Sequence, residues 1–157
     1  MLQLLSKDTL TINQDFTCSI IANITAKEAV EMISHVSEWW ISNIKGKSQK
    51  LNDVFTVRLG TTWKTVKIIE VVPDKKVVWQ VTDCYLPWNN DKTEGKNTKI
   101  VWEVSTTKDS TQISFTHLGL VPELQCYNQC KKSWSSYIKE SLFKFITQGK
   151  GLPNKFS

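Results

Sequence analysis

The side chains in this sequence that could carry chemistry are few and widely spaced. His117 lies two positions after Phe115 on a predicted strand, so both side chains are expected to face the same side of a sheet. A neutral imidazole there could donate a hydrogen bond to a ligand carbonyl or act as a base. It could equally form a structural hydrogen bond that fixes the strand end to a helix or a backbone carbonyl. Tyr127, Tyr137 and Arg58 are the other candidates that are predicted to face inward.

No motif of a known catalytic type accompanies these residues. The predicted inward positions contain no acidic pair, and the chain has no Gly-x-Ser-x-Gly turn, no His-Glu-x-x-His pair and no phosphate-binding glycine loop. The pattern gives weak support for an enzyme, and it predicts no cofactor.

The four cysteines are predicted to be reduced thiols. Cys126 and Cys130 lie four residues apart on a predicted helix and share a face, but they would supply only two ligands for a metal. A zinc site would need His35 and His117 as further ligands. The N-terminus, MLQLLSKDTL, lacks the basic region and the uninterrupted apolar core of a secretion signal, so disulfides are not expected either. The sequence favours buried thiols and predicts no metal.

Composition argues against several classes of partner. The net charge of +5 is the difference between 20 basic residues, nineteen lysines and one arginine, and 15 acidic residues, and no basic run is longer than two. Specific nucleic-acid readers rely on arginine for bidentate contacts, so nucleic-acid binding is not predicted. No apolar run approaches the ~18 residues that span a bilayer, so no membrane insertion is expected. The sequence predicts one cytoplasmic domain over residues 1–157 and leaves the oligomeric state open.

The stretch His-Val-Ser-Glu-Trp-Trp places two adjacent indoles, Trp39 and Trp40, at the end of a predicted helix. The pair could fill an ordinary core, or it could stand at the rim of a cavity that holds a ligand. Adjacent residues point in different directions. We therefore expect one indole in the core and the other nearer to solvent or to the cavity entrance.

Hydrophobic patterning predicts a strand, a helix, a run of strands and a final long helix. Apolar residues alternate from Phe16 to Asn23, and the capping-box spacing Thr25-Ala-Lys-Glu28 begins a helix of about three turns that runs to the tryptophan pair. Residues 41–53 are interpreted as a loop and residues 83–97 as a long mobile loop. The alternating runs between and after them are joined by short turns, which favours an antiparallel sheet.

The final helix is predicted from apolar spacings of three and four residues that follow Pro122 and continue to Gly149. It should span about 26 residues, or ~39 Å, which is long enough to lie across a whole sheet. The order of elements predicts an α+β fold with its helices on one face of an antiparallel sheet. Trp79, Trp102 and Phe115 are expected to stack across that face.

Several segments, taken in their order and spacing, resemble the START-like superfamily and, within it, the activator of heat-shock protein 90 ATPase homologue 1-like domain. They are Phe16 to Asn23, Glu70-Val-Val-Pro-Asp-Lys-Lys-Val-Val-Trp79, Thr111-Gln-Ile-Ser-Phe-Thr-His117 followed by Gly119, and Ser133-Trp134 to Gly151. The resemblance covers residues 15–153. It implies the helix-grip fold, in which a strongly curved antiparallel sheet wraps around a long C-terminal helix and leaves a pocket between them.

The resemblance also implies where a ligand would bind. Residues after the first helix of this fold lie beside the pocket entrance, opposite the C-terminal helix. The ligand-binding candidates are Trp39, Trp40, Phe55, Trp63, Trp79, Trp102, Phe115, His117, Tyr127, Trp134 and Ile138. Two features depart from the family pattern: Trp63-Lys-Thr replaces small residues, and Ser133 stands where the family tends to have glycine. Bulky Trp63 is expected to reduce the pocket, and His117, which the family carries broadly, is expected to be structural.

Three functions are implied by the resemblance. Relatives hold lipids, hormones, polyketides or flavonoid-like aromatics, which implies a small hydrophobic molecule as partner. The family name implies a chaperone as the alternative partner, although this chain has only about 14 residues ahead of its first strand, where the activators carry a further domain. A polyketide cyclase or dehydratase reaction is the third possibility. Binding of a small hydrophobic ligand is the main hypothesis.

Overall fold

A computed structural model describes residues 14–157, and the strands of this part of the chain form one curved, open sheet. They are β1 (Phe16–Ala22), β2 (Ile44–Gly46), β3 (Val54–Leu59), β4 (Thr62–Val72), β5 (Lys76–Tyr85), β6 (Lys99–Thr106) and β7 (Thr111–Leu118). Their order in the sheet is β1-β7-β6-β5-β4-β3-β2, and every pairing is antiparallel, as predicted. The stretch Met1 to Leu10, in which no secretion signal is predicted, lies outside the described residues.

Two short helices and one long helix pack against this sheet. The short ones are α1 (Ala26–Ser34) and α2 (Val36–Trp39). The C-terminal helix has 22 residues and consists of α3 (Tyr127–Ser136), a π-helical turn (Tyr137–Leu142) and α4 (Phe143–Gln148). It is shorter than the predicted length of about 26 residues because the chain after Pro122 forms turns before the helix begins. The α+β, helix-grip prediction is confirmed.

The first helix begins as the sequence predicts but ends earlier. The Thr25 hydroxyl accepts a hydrogen bond from the Glu28 amide, and the Glu28 carboxylate accepts one from the Thr25 amide, both at 3.0 Å. These bonds satisfy amides that would otherwise have no partner in the first turn. At His35 the backbone leaves the helical region, with ψ at 61°. The predicted single helix is therefore two helices, and only α2 reaches the tryptophan pair.

Both predicted loops contain more regular structure than expected. Within residues 41–53, the short strand β2 pairs with β3, so that Ile44 lies opposite Val57. The second predicted loop begins later than residue 83 because β5 continues to Tyr85. The segment that follows, residues 86–98, consists largely of turns closed by backbone hydrogen bonds. The first loop therefore contains a strand that was not predicted, and the predicted start of the second loop is wrong.

Irregular pairing between β4 and β5 keeps a row of residues on the concave face of the sheet. The register of this pair shifts twice, and bulges of this kind bend a strand and increase its twist. At the first shift Thr82 is skipped, so Lys64 lies opposite Cys84 while Val66 lies opposite Val81. Val66, Val81 and Cys84 are buried. Because Lys64 alternates with Val66 along β4, the lysine shares their face.

Five aromatic side chains at the centre of the core form a closed ring of contacts, which we call the aromatic cluster. In order around a closed circle they are Trp40, Trp134, Phe115, Trp102 and Trp79. Neighbouring ring centroids are 4.7, 4.8, 5.0, 5.4 and 6.1 Å apart in that order. The predicted stacking of three rings across one face is confirmed, and its geometry is edge-to-face. Each such pair contributes about 0.5–1.5 kcal/mol beyond simple burial.

The capping box gives a direct test of how α1 begins. Thr25→Ala should lower the free energy of unfolding by about 1 kcal/mol, because the Glu28 amide loses its acceptor. Urea denaturation measures this difference. Thr61→Ala, at an exposed threonine in the β3–β4 turn, is the matched control and should change the value by less than about 0.5 kcal/mol. Equal losses in the two variants would contradict the assigned cap.

Candidate functional site

The adjacent tryptophans are both buried, and contacts from the C-terminal part of the chain hold their backbone. Trp39 is 0% exposed and Trp40 is 4% exposed, so neither indole lies near solvent, but Trp40 alone of the two borders a cavity. The Trp39 carbonyl accepts a hydrogen bond from the Ser141 hydroxyl at 2.6 Å, and the Trp40 carbonyl accepts one from the Asn154 amide at 2.9 Å. The Trp39 indole N–H donates to the Ile33 carbonyl at 3.1 Å. These bonds fix the backbone of both residues and the direction of the Trp39 indole.

Trp40 also forms part of the wall of a cavity of about 600 Å³, which we call the main cavity. Four of the seven tryptophans of the chain take part in this wall. It is lined by Trp40, Ile41, Val57, Leu59, Gly60, Thr62, Trp63, Lys64, Leu86, Trp88, Gln129, Cys130, Ser133, Trp134 and Ser157. Trp88 is 49% exposed, so the cavity reaches solvent on that side. Concave, mostly apolar sites of this size hold small molecules in many proteins.

The structure brings three of the predicted ligand-binding residues to the main cavity and places the others elsewhere. Trp40, Trp63 and Trp134 line it. The buried core, away from this wall, contains Trp39, Phe55, Trp79, Trp102, Phe115 and Ile138. His117 borders a second cavity, and Tyr127 is half-buried at the start of the C-terminal helix. Trp63, which was expected to reduce the volume of the pocket, forms part of the wall of this cavity of about 600 Å³.

Lys64, Cys130 and Trp88 line the main cavity although they were not predicted as site residues. The inward orientation of Lys64 could have been predicted, because it alternates along β4 with Val66 and Ile68, which are both buried. Cys130 lies four residues before Trp134 and so shares its helix face. Trp88 had no such local signal, since its position depends on how residues 86–98 fold.

A second cavity, of about 10 Å³, borders His117, and we call it the small cavity. Cys130 lines both this cavity and the main cavity. His117 Nε2 lies 2.8 Å from Thr98 Oγ1, which donates to the Gly95 carbonyl at 2.6 Å. Because the Thr98 proton is engaged there, Nε2 must carry the imidazole proton and Nδ1 must keep a lone pair. Nδ1 is buried and has no partner among the described residues. The hydrogen bond partner of His117 is thus a threonine hydroxyl, not the expected helix or backbone carbonyl.

Lys64 lies in the wall that the two cavities share. Its Nζ atom is 5.5 Å from the centroid of the Trp134 ring, a favourable cation–π distance. A hydrogen bond with the Cys126 thiol, together with the charge of Lys64, lowers the pKa of Cys130 against the opposing effect of burial. This part of the wall therefore combines an indole face, a thiol and a positive charge.

Residues 86–98 form another part of the wall, and Glu94 anchors them to the C-terminal helix. The Glu94 carboxylate accepts hydrogen bonds from the Cys126 amide at 2.9 Å and from the Asn89 side chain at 3.1 Å. Partial burial raises the pKa of Glu94, but these hydrogen bonds outweigh it and hold that pKa below its usual range. Cys126 caps the N-terminal end of the C-terminal helix, where a negative carboxylate also interacts favourably with the helix dipole. The anchor fixes the loop that carries Trp88.

The cysteines and other metal-ligating side chains do not gather into one centre. Within residues 14–157 no group of three or more His, Cys, Asp or Glu forms that could hold a metal ion. All four cysteines are free thiols, three of them buried and Cys18 half-buried. In the same part of the chain, no helix combines the length and the apolar character needed to cross a membrane.

Comparison with protein families identifies this fold. The profile of the family described as Activator of Hsp90 ATPase homolog 1-like protein matches residues 28–146. The chain belongs to this family. The matched region runs from α1 to α4 and includes β2 to β7, so it contains most of the elements around the main cavity, and the predicted START-like resemblance is confirmed. No protein with a curated description matches the sequence.

Several solved structures have the same fold. The Aha1 dimer from Colwellia psychrerythraea aligns with a TM-score of 0.71 and 18% identity, over 87% of this chain and 98% of that one. DynU16, from the dynemicin biosynthetic locus, aligns at 0.66 with 12% identity over 88% of this chain and 49% of that one. The Staphylococcus saprophyticus protein SSP2350 aligns at 0.66 with 10% identity, over 88% and 95%. At these identities the likeness shows the fold alone.

The burial of His117 predicts a pH dependence of stability. Burial, and then repulsion by Lys64, lowers the pKa of His117 to about 3 in the folded protein, whereas the unfolded value is about 6.5. Between these pH values the unfolded state binds one more proton, so stability is present above about pH 6.5 and is lost as the pH falls toward 3. In this range the free energy of unfolding should fall by up to about 1.4 kcal/mol for each pH unit. His117→Gln should remove this pH dependence, as measured by denaturation between pH 7 and about pH 4.

The matched control for this experiment is His35→Gln, which removes the other imidazole of the chain. A slope that is lost equally in both variants, or that persists in His117→Gln, would contradict the assignment to His117.

Proposed function

We propose that this Activator of Hsp90 ATPase homolog 1-like protein binds a small hydrophobic molecule, and preferably an aromatic one, in the main cavity. The observation that carries the proposal is the set of four tryptophans, Trp40, Trp63, Trp88 and Trp134, around about 600 Å³ of space. Indoles offer large and rigid contact faces to a ring system, because aromatic pairs favour stacked or edge-to-face arrangements. Trp40 and Trp134 are held in place by the aromatic cluster, so a ligand would not have to order them.

The affinity that such a cavity provides is moderate. A ligand that buries ~300 Å² of apolar surface gains about 7.5 kcal/mol at ~25 cal/mol per Å². Association costs about 4 kcal/mol or more, so a purely apolar ligand should bind with micromolar or weaker affinity. Stronger binding would require placed polar contacts.

Two other functions have less support. Activation of a heat-shock protein 90 ATPase is favoured by the family description alone. A cyclase or dehydratase reaction would need an acid or base at the ligand. His117, the candidate base, does not border the main cavity, and no Asp or Glu side chain among residues 14–157 belongs to its wall. Catalysis by these groups is therefore not proposed.

The compartment and the extent of the domain are also proposals. The four free thiols suit a reducing compartment, which supports a cytoplasmic location. A single domain over residues 1–157 is supported by the sheet, whose strands run from Phe16 to Leu118 and pack against the C-terminal helix.

Titration with N-phenyl-1-naphthylamine, a neutral dye that brightens in apolar surroundings, tests the proposal. The protein should bind it with micromolar affinity. Ser133→Phe places a ring into the main cavity from α3 and should weaken binding at least about tenfold. Lys132→Phe adds the same ring at the exposed neighbouring position, outside the wall, and should leave binding unchanged.

Absence of dye binding, or equal binding by Ser133→Phe, would overturn the proposal. Assay of heat-shock protein 90 ATPase stimulation with the same two variants separates the chaperone alternative, because a contact through the outer surface should not depend on Ser133.

A further inference from the structure

Lys64 places a positive charge in the wall of the main cavity. It occupies an inward-facing position of β4 opposite Cys84, and its side chain is half-buried. The ammonium lies 5.5 Å from the centroid of the Trp134 ring, and Trp134 itself lines the cavity. A lysine on an outward-facing position of a strand would extend into water, whereas this one borders a mostly apolar space.

No carboxylate of the described residues neutralises this charge. Within residues 14–157 the one ion pair closer than 4.0 Å joins Lys76 to Glu70. The carboxylates of neighbouring segments are engaged with backbone amides: Asp83 accepts from the Cys84 amide at 2.9 Å, and Glu94 accepts from the Cys126 amide at 2.9 Å. In this part of the chain Lys64 forms neither an ion pair nor a hydrogen bond, and its close neighbour is an indole face.

Such a charge favours an anionic partner. A partly desolvated ammonium gains more from a carboxylate than an ammonium in water does, because its hydrogen bonds to an anion are short and strong and are poorly screened.

We propose that the ligand of the main cavity is an aromatic carboxylate, with its ring system among the indoles and its carboxylate against Lys64. This inference rests on the proposed function of the same cavity and adds the chemical class of the ligand. The four tryptophans select the ring, because flat faces complement an aryl group better than a flexible alkyl chain. The single lysine selects the charge.

The test compares 2-naphthoate with 2-naphthalenemethanol, which has the same ring system and a neutral hydroxymethyl group, in isothermal titrations at pH 7. The protein should bind the carboxylate about tenfold more tightly, a difference of about 1.4 kcal/mol. Lys64→Met should reduce this ratio to about one by weakening only the carboxylate, whereas Lys64→Arg should retain the preference. Lys67→Met removes a lysine from β4 that does not line the cavity, and it is the matched control.

The outcomes separate the two proposals. If both compounds bind equally to the unaltered protein, or if Lys64→Met keeps the preference, the role of Lys64 is overturned while ligand binding stands. If neither compound nor the neutral dye binds, the proposed function itself fails. Tighter binding of decanoate than of 2-naphthoate would overturn the choice of an aromatic over an aliphatic acid. Thermal unfolding shows whether Lys64→Met folds, and Lys64→Gln replaces it if it does not.

Discussion

The contact between Trp40 and Trp134, with ring centroids 4.7 Å apart, closes the circle of the aromatic cluster and joins elements that are distant in sequence. Trp40 follows α2, Trp134 belongs to the C-terminal helix, and the remaining members come from three adjacent strands. The circle is possible because the Trp39 and Trp40 carbonyls are held by Ser141 and by Asn154. The sheet, the C-terminal helix and the segment between them therefore depend on one another for their positions.

The same contact defines where the core ends and the main cavity begins. Trp40 and Trp134 each belong to the aromatic cluster and to the cavity wall. The two interpretations of the adjacent tryptophans, as core residues and as cavity residues, are therefore both correct for Trp40, while Trp39 belongs to the core alone. Because the packed core holds these two indoles, this part of the cavity wall has a fixed shape.

Local and periodic signals made much of the fold predictable. The spacing of Thr25 and Glu28 defined the start of α1, and period-two alternation located the longer strands. β2 was missed because three residues carry no measurable alternation, and their strand geometry depends on pairing with β3. For the site, Trp40, Trp63 and Trp134 were identified from the resemblance to the family, but six other candidates lie in the core. The alternation of Lys64 with Val66 and Ile68 could have shown that it faces inward, but its approach to Trp134 depends on how the C-terminal helix packs on the sheet.

The π-helical turn in the C-terminal helix sets how the residues after it are rotated about the helix axis relative to those before it. Such a turn closes i→i+5 hydrogen bonds and so holds more residues than an α-helical turn. All the residues that face the sheet from this turn, Tyr137, Ile138, Ser141 and Leu142, are fully buried. If the same residues formed α-helical turns instead, Phe145 and Ile146 would be rotated relative to Trp134 by about the step of one residue, roughly 100°. The π-helical turn thus keeps Phe145 and Ile146 on the same side of the C-terminal helix as Trp134, facing the core.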